Sequence, residues 1–150
     1  MKIEGSQIIK APRELLYRKM LDPEILRRCL PGCQSLEDDE NGSYKMTLKV
    51  GVGVINGIFT GSIKLEEMKE PEHYKMIIDA KGPVGFLKGH GLIDLSEQGE
   101  KTLLSYVGEI SVGGAIAVLG HRMIQSTAKS MAEQFFAAVE NEALAAIESE

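Results

Sequence analysis

Cys29 and Cys33 have the spacing in this sequence that is closest to a metal or redox motif. Zinc sites use cysteines two to four residues apart, but a structural site needs four ligands. The remaining candidates, His73, His90 and His121, are scattered along the chain. A disulfide is disfavoured in a reducing cytoplasm. We therefore expect no metal site and interpret both cysteines as small buried side chains.

Two glycine-rich segments are candidates for binding phosphate groups. Gly51-Val-Gly53-Val-Ile-Asn-Gly57 is close to a dinucleotide-binding fingerprint, but its last spacing differs. It also leads into a predicted strand, where the fingerprint requires a helix. Gly113-Gly114 precedes a predicted helix, but no lysine follows at P-loop spacing. Neither segment is therefore assigned a nucleotide.

Tyr106 and Thr127 are hydroxyl side chains that are predicted to point inward, on a strand and on a helix respectively. A buried hydroxyl needs a hydrogen-bond partner, which is either a group of the protein or a ligand. Pockets for small molecules use a few such polar groups within an apolar lining. The local sequence contains no Ser/His/Asp set, and we assign no catalytic residue.

The elements that position these side chains begin with one strand and two short helices. Ile3, Ile8 and Ile9 indicate the strand. Pro12 and Asp22-Pro23 indicate the starts of the helices, because proline suits the first helical turn and aspartate caps it. A further strand is predicted from residue 34 to residue 38, before a turn.

Alternation of apolar and polar residues then predicts a series of strands with one covered face. Short turns separate the runs, which favours antiparallel neighbours. The order β-α-α-β6-α predicts an α+β protein with one curved antiparallel sheet, in a single domain over residues 1–150. The alternating runs are 44–50, 55–66, 74–81, 87–95 and 104–112.

The C-terminal segment is predicted to be one long helix that covers the dry face of the sheet. Residues 115–147 contain no proline, and Gly120 is their only interior glycine. We expect the helix to be continuous from Ala115 to at least Val139. At about 100° per residue, one face is apolar. That face contains Ile116, Met123, Ile124, Thr127, Ala128, Met131, Phe135 and Val139.

Glycine and methionine are concentrated on the predicted inner face of the sheet. Inward glycines allow strands to bend or backbones to approach closely, and they also leave space. Methionine is ordinary core filler and also suits surfaces that accept varied apolar ligands. A lipophilic pocket beneath the helix is consistent with both patterns, and so is a bent, filled core. The residues are Gly57, Gly61, Gly89, Gly91 and Gly108, with Met46, Met76, Met123 and Met131.

Composition limits the classes of function. The chain has 150 residues, a net charge of −5 and no tryptophan. A nucleic-acid-binding protein needs a concentrated basic face, which this balance argues against. No run approaches the ~20 apolar residues of a membrane-spanning helix, and no signal peptide is visible. We expect a cytoplasmic protein.

Several cysteine- and glycine-containing segments together resemble one known family. They are Arg28-Cys-Leu-Pro-Gly-Cys33, Lys49-Val-Gly-Val-Gly53, Gly57-Ile-Phe-Thr-Gly61, Gly85-Phe-Leu-Lys-Gly-His-Gly91, Val112-Gly-Gly114, Leu119-Gly-His-Arg122 and Met131-Ala-Glu-Gln-Phe-Phe136. The chain resembles the CoxG family, the G subunits of carbon monoxide dehydrogenase, over nearly its whole length. The element order resembles the helix-grip fold of the START-like (SRPBCC, Bet v 1-like) superfamily.

The resemblance implies a non-enzymatic carrier of a lipophilic small molecule, a quinone or a lipid, with no other cofactor. It also implies a partner, a molybdenum-containing carbon monoxide dehydrogenase or related hydroxylase, and peripheral contact with the inner face of the membrane. Two alternatives stay open. One is an interaction module with a filled core, and the other is a START-like cyclase or hydrolase that works in the cavity.

We predict a ligand site between the sheet and the long helix. Its mouth is predicted at Pro31, Gly53, Val54, residues 82–86 and residues 113–116. The predicted ligand-binding residues are Met46, Leu48, Phe59, Gly61, Met76, Ile78, Phe86, Gly89, Tyr106, Ile110, Met123, Thr127, Met131 and Phe135.

Overall fold

The computed structural model describes residues 1–39, 42–52 and 55–149. Within these residues the chain forms β1 (Lys2–Ile9), α1 (Arg13–Leu21), α2 (Pro23–Cys29), β2 (Cys33–Asp38), β3 (Ser43–Val52), β4 (Ile55–Lys69), β5 (His73–Gly82), β6 (Gly85–Gln98), β7 (Lys101–Gly113), a 3₁₀ helix (Gly114–Leu119) and α3 (His121–Glu148). The predicted order β-α-α-β6-α is confirmed.

All strand pairs in the described residues are antiparallel, in the order β1-β7-β6-β5-β4-β3-β2. The curved sheet wraps around α3, as predicted. Consecutive strands pair as neighbours because their connections are short. The first strand instead pairs with the last, and Gly5 lies opposite Tyr106. This pairing places β1 beside the strand that carries the predicted polar anchor.

The two short helices close one end of the curved sheet. The carboxylate of Asp22 accepts a hydrogen bond from the Glu24 backbone N–H at 3.0 Å, which caps α2 as the sequence predicted. Leu16, Met20 and Leu26 are completely buried in the main core. Both helices pack against α3, so this end of the molecule is filled.

The prediction of one continuous helix from Ala115 is wrong. Residues 114–119 form a 3₁₀ helix, and α3 begins only at His121. Gly120 lies between them with φ of +85°, a left-handed conformation that glycine adopts readily and that ends a right-handed helix. The Ile116 N–H donates to the Val84 carbonyl at 3.1 Å and thereby ties the 3₁₀ helix to the β5–β6 turn.

The predicted inner face of α3 is correct except at its start. Ile124, Phe135 and Val139 are buried, whereas Met123 is 53% exposed. Met123 lies about 100° around the helix from Ile124, on the side away from Phe135, and therefore falls outside the inward arc. The break at Gly120 also means that Ile116 and Met123 do not belong to one helical wheel.

Candidate functional site

A cavity of about 290 Å³ lies between the inner face of the sheet and α3. Its volume is just below the ~300–1,000 Å³ typical of ligand pockets. Strands β3 to β7 form the floor and α3 forms the roof. Ile3 of β1 and Leu30 and Pro31, which follow α2, contribute to its sides. The lining is almost entirely apolar.

Most of the predicted site residues line this one cavity. The alternation of each strand places its inward side chains on the cavity floor, and α3 contributes side chains about one turn apart. Phe59, Ile110 and Phe135 are each less than a tenth exposed. The predicted residues that line the cavity are Met46, Leu48, Phe59, Met76, Ile78, Gly89, Tyr106, Ile110, Thr127, Met131 and Phe135.

Gly61, Phe86 and Met123 were predicted to line the site, but the structure places them elsewhere. Phe86 follows the even-numbered alternation of β6 onto the outer face of the sheet, where it is 41% exposed. Met123 is outside the inward arc of α3, as described above. Gly61 is on the inner face, but it is packed against the neighbouring strand.

The inward glycines serve two different purposes. A Cβ on Gly61 would overlap the Asp79 carbonyl oxygen, so this glycine permits close approach of β4 and β5. A Cβ on Gly89 would lie 2.9 Å from Cγ2 of Ile110 and 3.3 Å from the Glu109 carbonyl oxygen. The overlap at Gly61 is with paired backbone, whereas the tightest contact at Gly89 is with a side chain that lines the cavity. Gly89 itself borders the cavity and Gly61 does not.

Sequence reasoning missed several lining residues. Ala128 and Ile124 were placed on the inward face of α3 but were not assigned to the site, and Ala132 and Phe136 extend the same roof. Ile3 could not be found, because its position depends on the pairing of β1 with β7. Small residues such as alanine are hard to assign to a binding site from sequence, although they determine how closely α3 approaches the sheet.

The predicted mouth is partly described. Pro31 and Ile116 line the cavity, and the turn from residue 82 to residue 86 lies beside the 3₁₀ helix through the bond from Ile116 to Val84. Gly53 and Val54 lie outside the described residues.

Tyr106 and Thr127, the two hydroxyl side chains predicted to point inward, are both lining residues of the cavity. The Tyr106 side chain is 92% buried, and its hydroxyl has no hydrogen-bond partner among the described residues. The ring lies over Gly5, where a Cβ would be 2.6 Å from the hydroxyl oxygen, and 5.2 Å from the ring of Phe136. Burial, with a smaller contribution from Glu133, raises the pKa of Tyr106, so it remains a neutral donor. A buried donor without a partner can bind an acceptor atom of a ligand.

The described lining offers no pair of groups for general acid–base catalysis. Tyr106 is its one buried titratable side chain, and His90 occupies an outward-facing position of β6 and is exposed. A general acid and a general base must both reach the reacting atoms. The arrangement supports binding of an apolar molecule.

The cysteines lie outside the cavity lining. Cys29 is buried in α2, and Cys33 is half-buried at the start of β2; both are free thiols. Burial is the main cause that raises the pKa of each thiol, which lowers its reactivity. The burial of Cys29 agrees with its interpretation as a small buried side chain, whereas Cys33 is only half-buried. In the part of the chain that the structure describes, no three His, Cys, Asp or Glu side chains are placed to hold a metal ion.

Phe135→Ala is expected to lower the free energy of unfolding by about 3 kcal/mol, the low end for a buried phenylalanine, because one side of the ring borders the cavity. The other side packs on Phe136, with ring centroids 5.4 Å apart. Urea denaturation measures the loss. Phe86→Ala, at an outer-face position, is the control and should cost less than ~1 kcal/mol. A similarly small loss for Phe135 would contradict the inward phase of α3.

A curved antiparallel sheet around a long C-terminal helix, with a cavity between them, is the helix-grip fold of START and Bet v 1-like proteins. Solved structures share this fold. A START superfamily protein from Mycobacterium smegmatis has a TM-score of 0.70 at 11% identity, covering 95% of this chain and 96% of that one. A protein of Thermus thermophilus has a TM-score of 0.76 at 18% identity, covering 97% and 98%.

The chain belongs to the CoxG family, described as the G subunit of carbon monoxide dehydrogenase, whose family model matches residues 5–144. A conserved protein from Geobacillus kaustophilus is 34% identical to it, with a TM-score of 0.93 over 96% of this chain and 95% of that one. No curated protein matches the sequence. None of the helices in residues 1–39, 42–52 and 55–149 is both long and apolar enough to cross a bilayer.

Proposed function

We propose that this protein is a non-catalytic carrier that binds a lipophilic small molecule, a quinone or a lipid, between its sheet and α3. The observation that carries the proposal is the 290 Å³ apolar cavity, and one of its lining residues, Tyr106, has a buried hydroxyl without a partner among the described residues. Family membership supports a binding role. In this proposal the Tyr106 hydroxyl donates a hydrogen bond to a carbonyl or ester oxygen of the ligand.

The size of the cavity limits how the ligand would be held. The space accommodates a quinone ring or a short acyl segment, and the remainder of a long tail would extend through the mouth near Ile116. A tail that stays exposed to water is unfavourable in free energy, because its apolar surface remains hydrated. A carrier of this kind would therefore exchange its ligand at a membrane or directly with an enzyme.

We further propose that the carrier is accessory to a molybdenum-containing carbon monoxide dehydrogenase or a related hydroxylase. The name of the family supports this partner. In this role the protein works in the cytoplasm, at the inner face of the membrane, and moves a quinone between the bilayer and the enzyme.

Native mass spectrometry with solvent extraction of the purified protein tests the carrier proposal. A quinone or lipid in one-to-one ratio, displaced by a short-chain menaquinone analogue, is the expected result. A protein that carries no molecule and binds neither the analogue nor a fluorescent apolar probe would contradict the proposal and favour an interaction module. Turnover of the bound molecule would instead favour an enzyme.

Tyr106→Phe is expected to weaken binding of the menaquinone analogue about 5- to 10-fold, the effect of one lost hydrogen bond. Stability should be unchanged or slightly higher, because the variant removes a buried hydroxyl without a partner. Tyr74→Phe is the matched control, since Tyr74 has a buried, unpartnered hydroxyl outside the cavity lining. Fluorescence titrations measure the affinity of both variants for the analogue. Equal affinities of Tyr106→Phe and wild type would show that the hydroxyl does not contact the ligand.

A further inference from the structure

The cavity is closed at the end where the 3₁₀ helix lies. Phe59, Ile110, Ile116 and Ile124 form a buried cluster at this end, separate from the main core. Ile116 belongs to the 3₁₀ helix itself and is only 5% exposed, and its N–H bonds to the Val84 carbonyl. A ligand that passed through this end would therefore have to displace buried apolar side chains.

The cavity is also closed along the side of α3 that faces β1. The Gln125 side-chain amide donates a hydrogen bond to the Lys2 carbonyl at 2.8 Å. Farther along α3, the ring of Phe136 lies 5.2 Å from the ring of Tyr106, which covers Gly5 of β1. These contacts join α3 to the edge of the sheet that β1 forms.

The opposite side of α3 faces the other edge of the sheet. Gln125 and Phe136 lie about 100° and 120° from Ile124 in one direction around the helix. Thr127 and Met123 lie about 60° and 100° from Ile124 in the other direction. The curved sheet runs from β1 at one edge to β2 at the other. Because Gln125 faces β1, Thr127 and Met123 must face the side of β2 and β3.

The sheet is incomplete on this side, because β2 is shorter than β3. Their pairing ends at Cys33 opposite Leu48, whereas β3 continues to Val52. The Gly32 carbonyl then accepts a hydrogen bond from the Lys49 N–H at 2.8 Å. Within the residues that the structure describes, no strand lies beside β3 on this side past that point. The shortness of β2 therefore leaves a gap between the described part of β3 and α3.

Apolar and uncharged side chains surround this gap. Five of them line the cavity and are half-buried, namely Leu30 and Pro31 before β2, Val50 of β3, and Thr127 and Met131 of α3. Met123 continues the same side of α3 outward and is 53% exposed. We call these six residues the side portal.

We propose that the ligand of the carrier enters and leaves through the side portal, with Met123 at its outer edge. The inference rests on the proposed carrier function, because it concerns the route to the same cavity. A rim without charges suits an apolar molecule, since no ionised group has to lose its water as the molecule passes. The thioether side chains of Met123 and Met131 are unbranched and can move aside without a change in the backbone.

A bulky label at the outer edge of the side portal tests this route. A Cys33→Ser background removes the more accessible native thiol, and Met123→Cys is then labelled with a bulky maleimide. Stopped-flow fluorescence with N-phenyl-1-naphthylamine, an uncharged apolar probe, measures the rates. Both the association and the dissociation rate constant should fall by about fivefold or more, while affinity stays within about twofold. A barrier on the route slows both directions alike, because the free and bound states are unchanged.

Two labelled controls separate the side portal from the rest of the surface. Val118→Cys carries the same label on the 3₁₀ helix, where Val118 is 86% exposed, and Ser126→Cys carries it on the outer side of α3. Both should keep rate constants within about twofold of the unlabelled protein. Slowing at position 118 but not at position 123 would show passage beside the 3₁₀ helix and overturn the side portal. Unchanged rates at all three positions would overturn it as well.

Met123→Ala gives an independent measurement without a label. Loss of the side chain at the outer edge should raise both rate constants by about twofold or more at unchanged affinity, and Val118→Ala should change neither. Wild-type protein that binds neither the probe nor the menaquinone analogue would contradict the carrier and the side portal together. Binding at rates that are insensitive to every change at position 123 would contradict the side portal alone and leave the carrier in place.

Discussion

Replacing Ala128 by phenylalanine is expected to weaken binding of the menaquinone analogue by more than about tenfold while the fold is retained. Ala128 is half-buried on α3 and lines the cavity. Phenylalanine is compatible with a helix, and its ring would enter the space that the ligand needs. Filling an existing cavity avoids the strain that the same substitution causes in a close-packed core. Circular dichroism melts and fluorescence titration of the same samples measure fold and affinity.

Ala137→Phe is the matched control, because Ala137 lies on the exposed side of the same helix. It introduces the same side chain and should leave affinity unchanged. If Ala128→Phe remains folded and binds as tightly as wild type, the ligand does not occupy this cavity. That result would favour the hypothesis of an interaction module over the hypothesis of a carrier.

Gly61→Val is expected to lower the free energy of unfolding by more than ~4 kcal/mol or to prevent folding, an unusually large effect for one substitution. The reason is steric, because a Cβ at Gly61 would overlap the Asp79 carbonyl oxygen and crowd the backbone of Ala80. These atoms belong to the strand that pairs with β4, so relief requires the strands to separate. Urea denaturation, or the yield of folded protein if the variant aggregates, measures the effect.

Two controls isolate the backbone clash. Gly51→Val introduces valine in β3, where nothing lies within 4 Å of the added Cβ, and should cost little. Thr60→Val introduces the same side chain on the exposed face one residue before Gly61 and should also be mild. A mild effect at all three positions would contradict the close approach of β4 and β5.

Much of the site could be predicted because the side chains of a strand alternate. Once one residue of β7 is inward, Tyr106 and Ile110 must share that face, whatever the rest of the protein does. The same argument placed Met46, Met76 and Ile78. Recognition of the CoxG motifs agreed with the family match and with the helix-grip fold. The presence of a ligand and its identity stay predictions.

Errors arose where the prediction extended a regular pattern through a glycine or a strand end. The apolar character of residues 114–119 favoured a continued helix, but the left-handed conformation at Gly120 ends the 3₁₀ helix and resets the direction of α3. Phe86 was predicted to lie at the mouth and to bind the ligand. Its place in the alternation of β6 puts it on the outer face instead.

The sequence by itself determined which face of each strand and of α3 is apolar, because that depends only on the periodicity of neighbouring residues. Tertiary structure decided what each inward position does. Gly61 and Gly89 are indistinguishable in the sequence, yet one meets backbone and the other borders a cavity, since their neighbours belong to other strands.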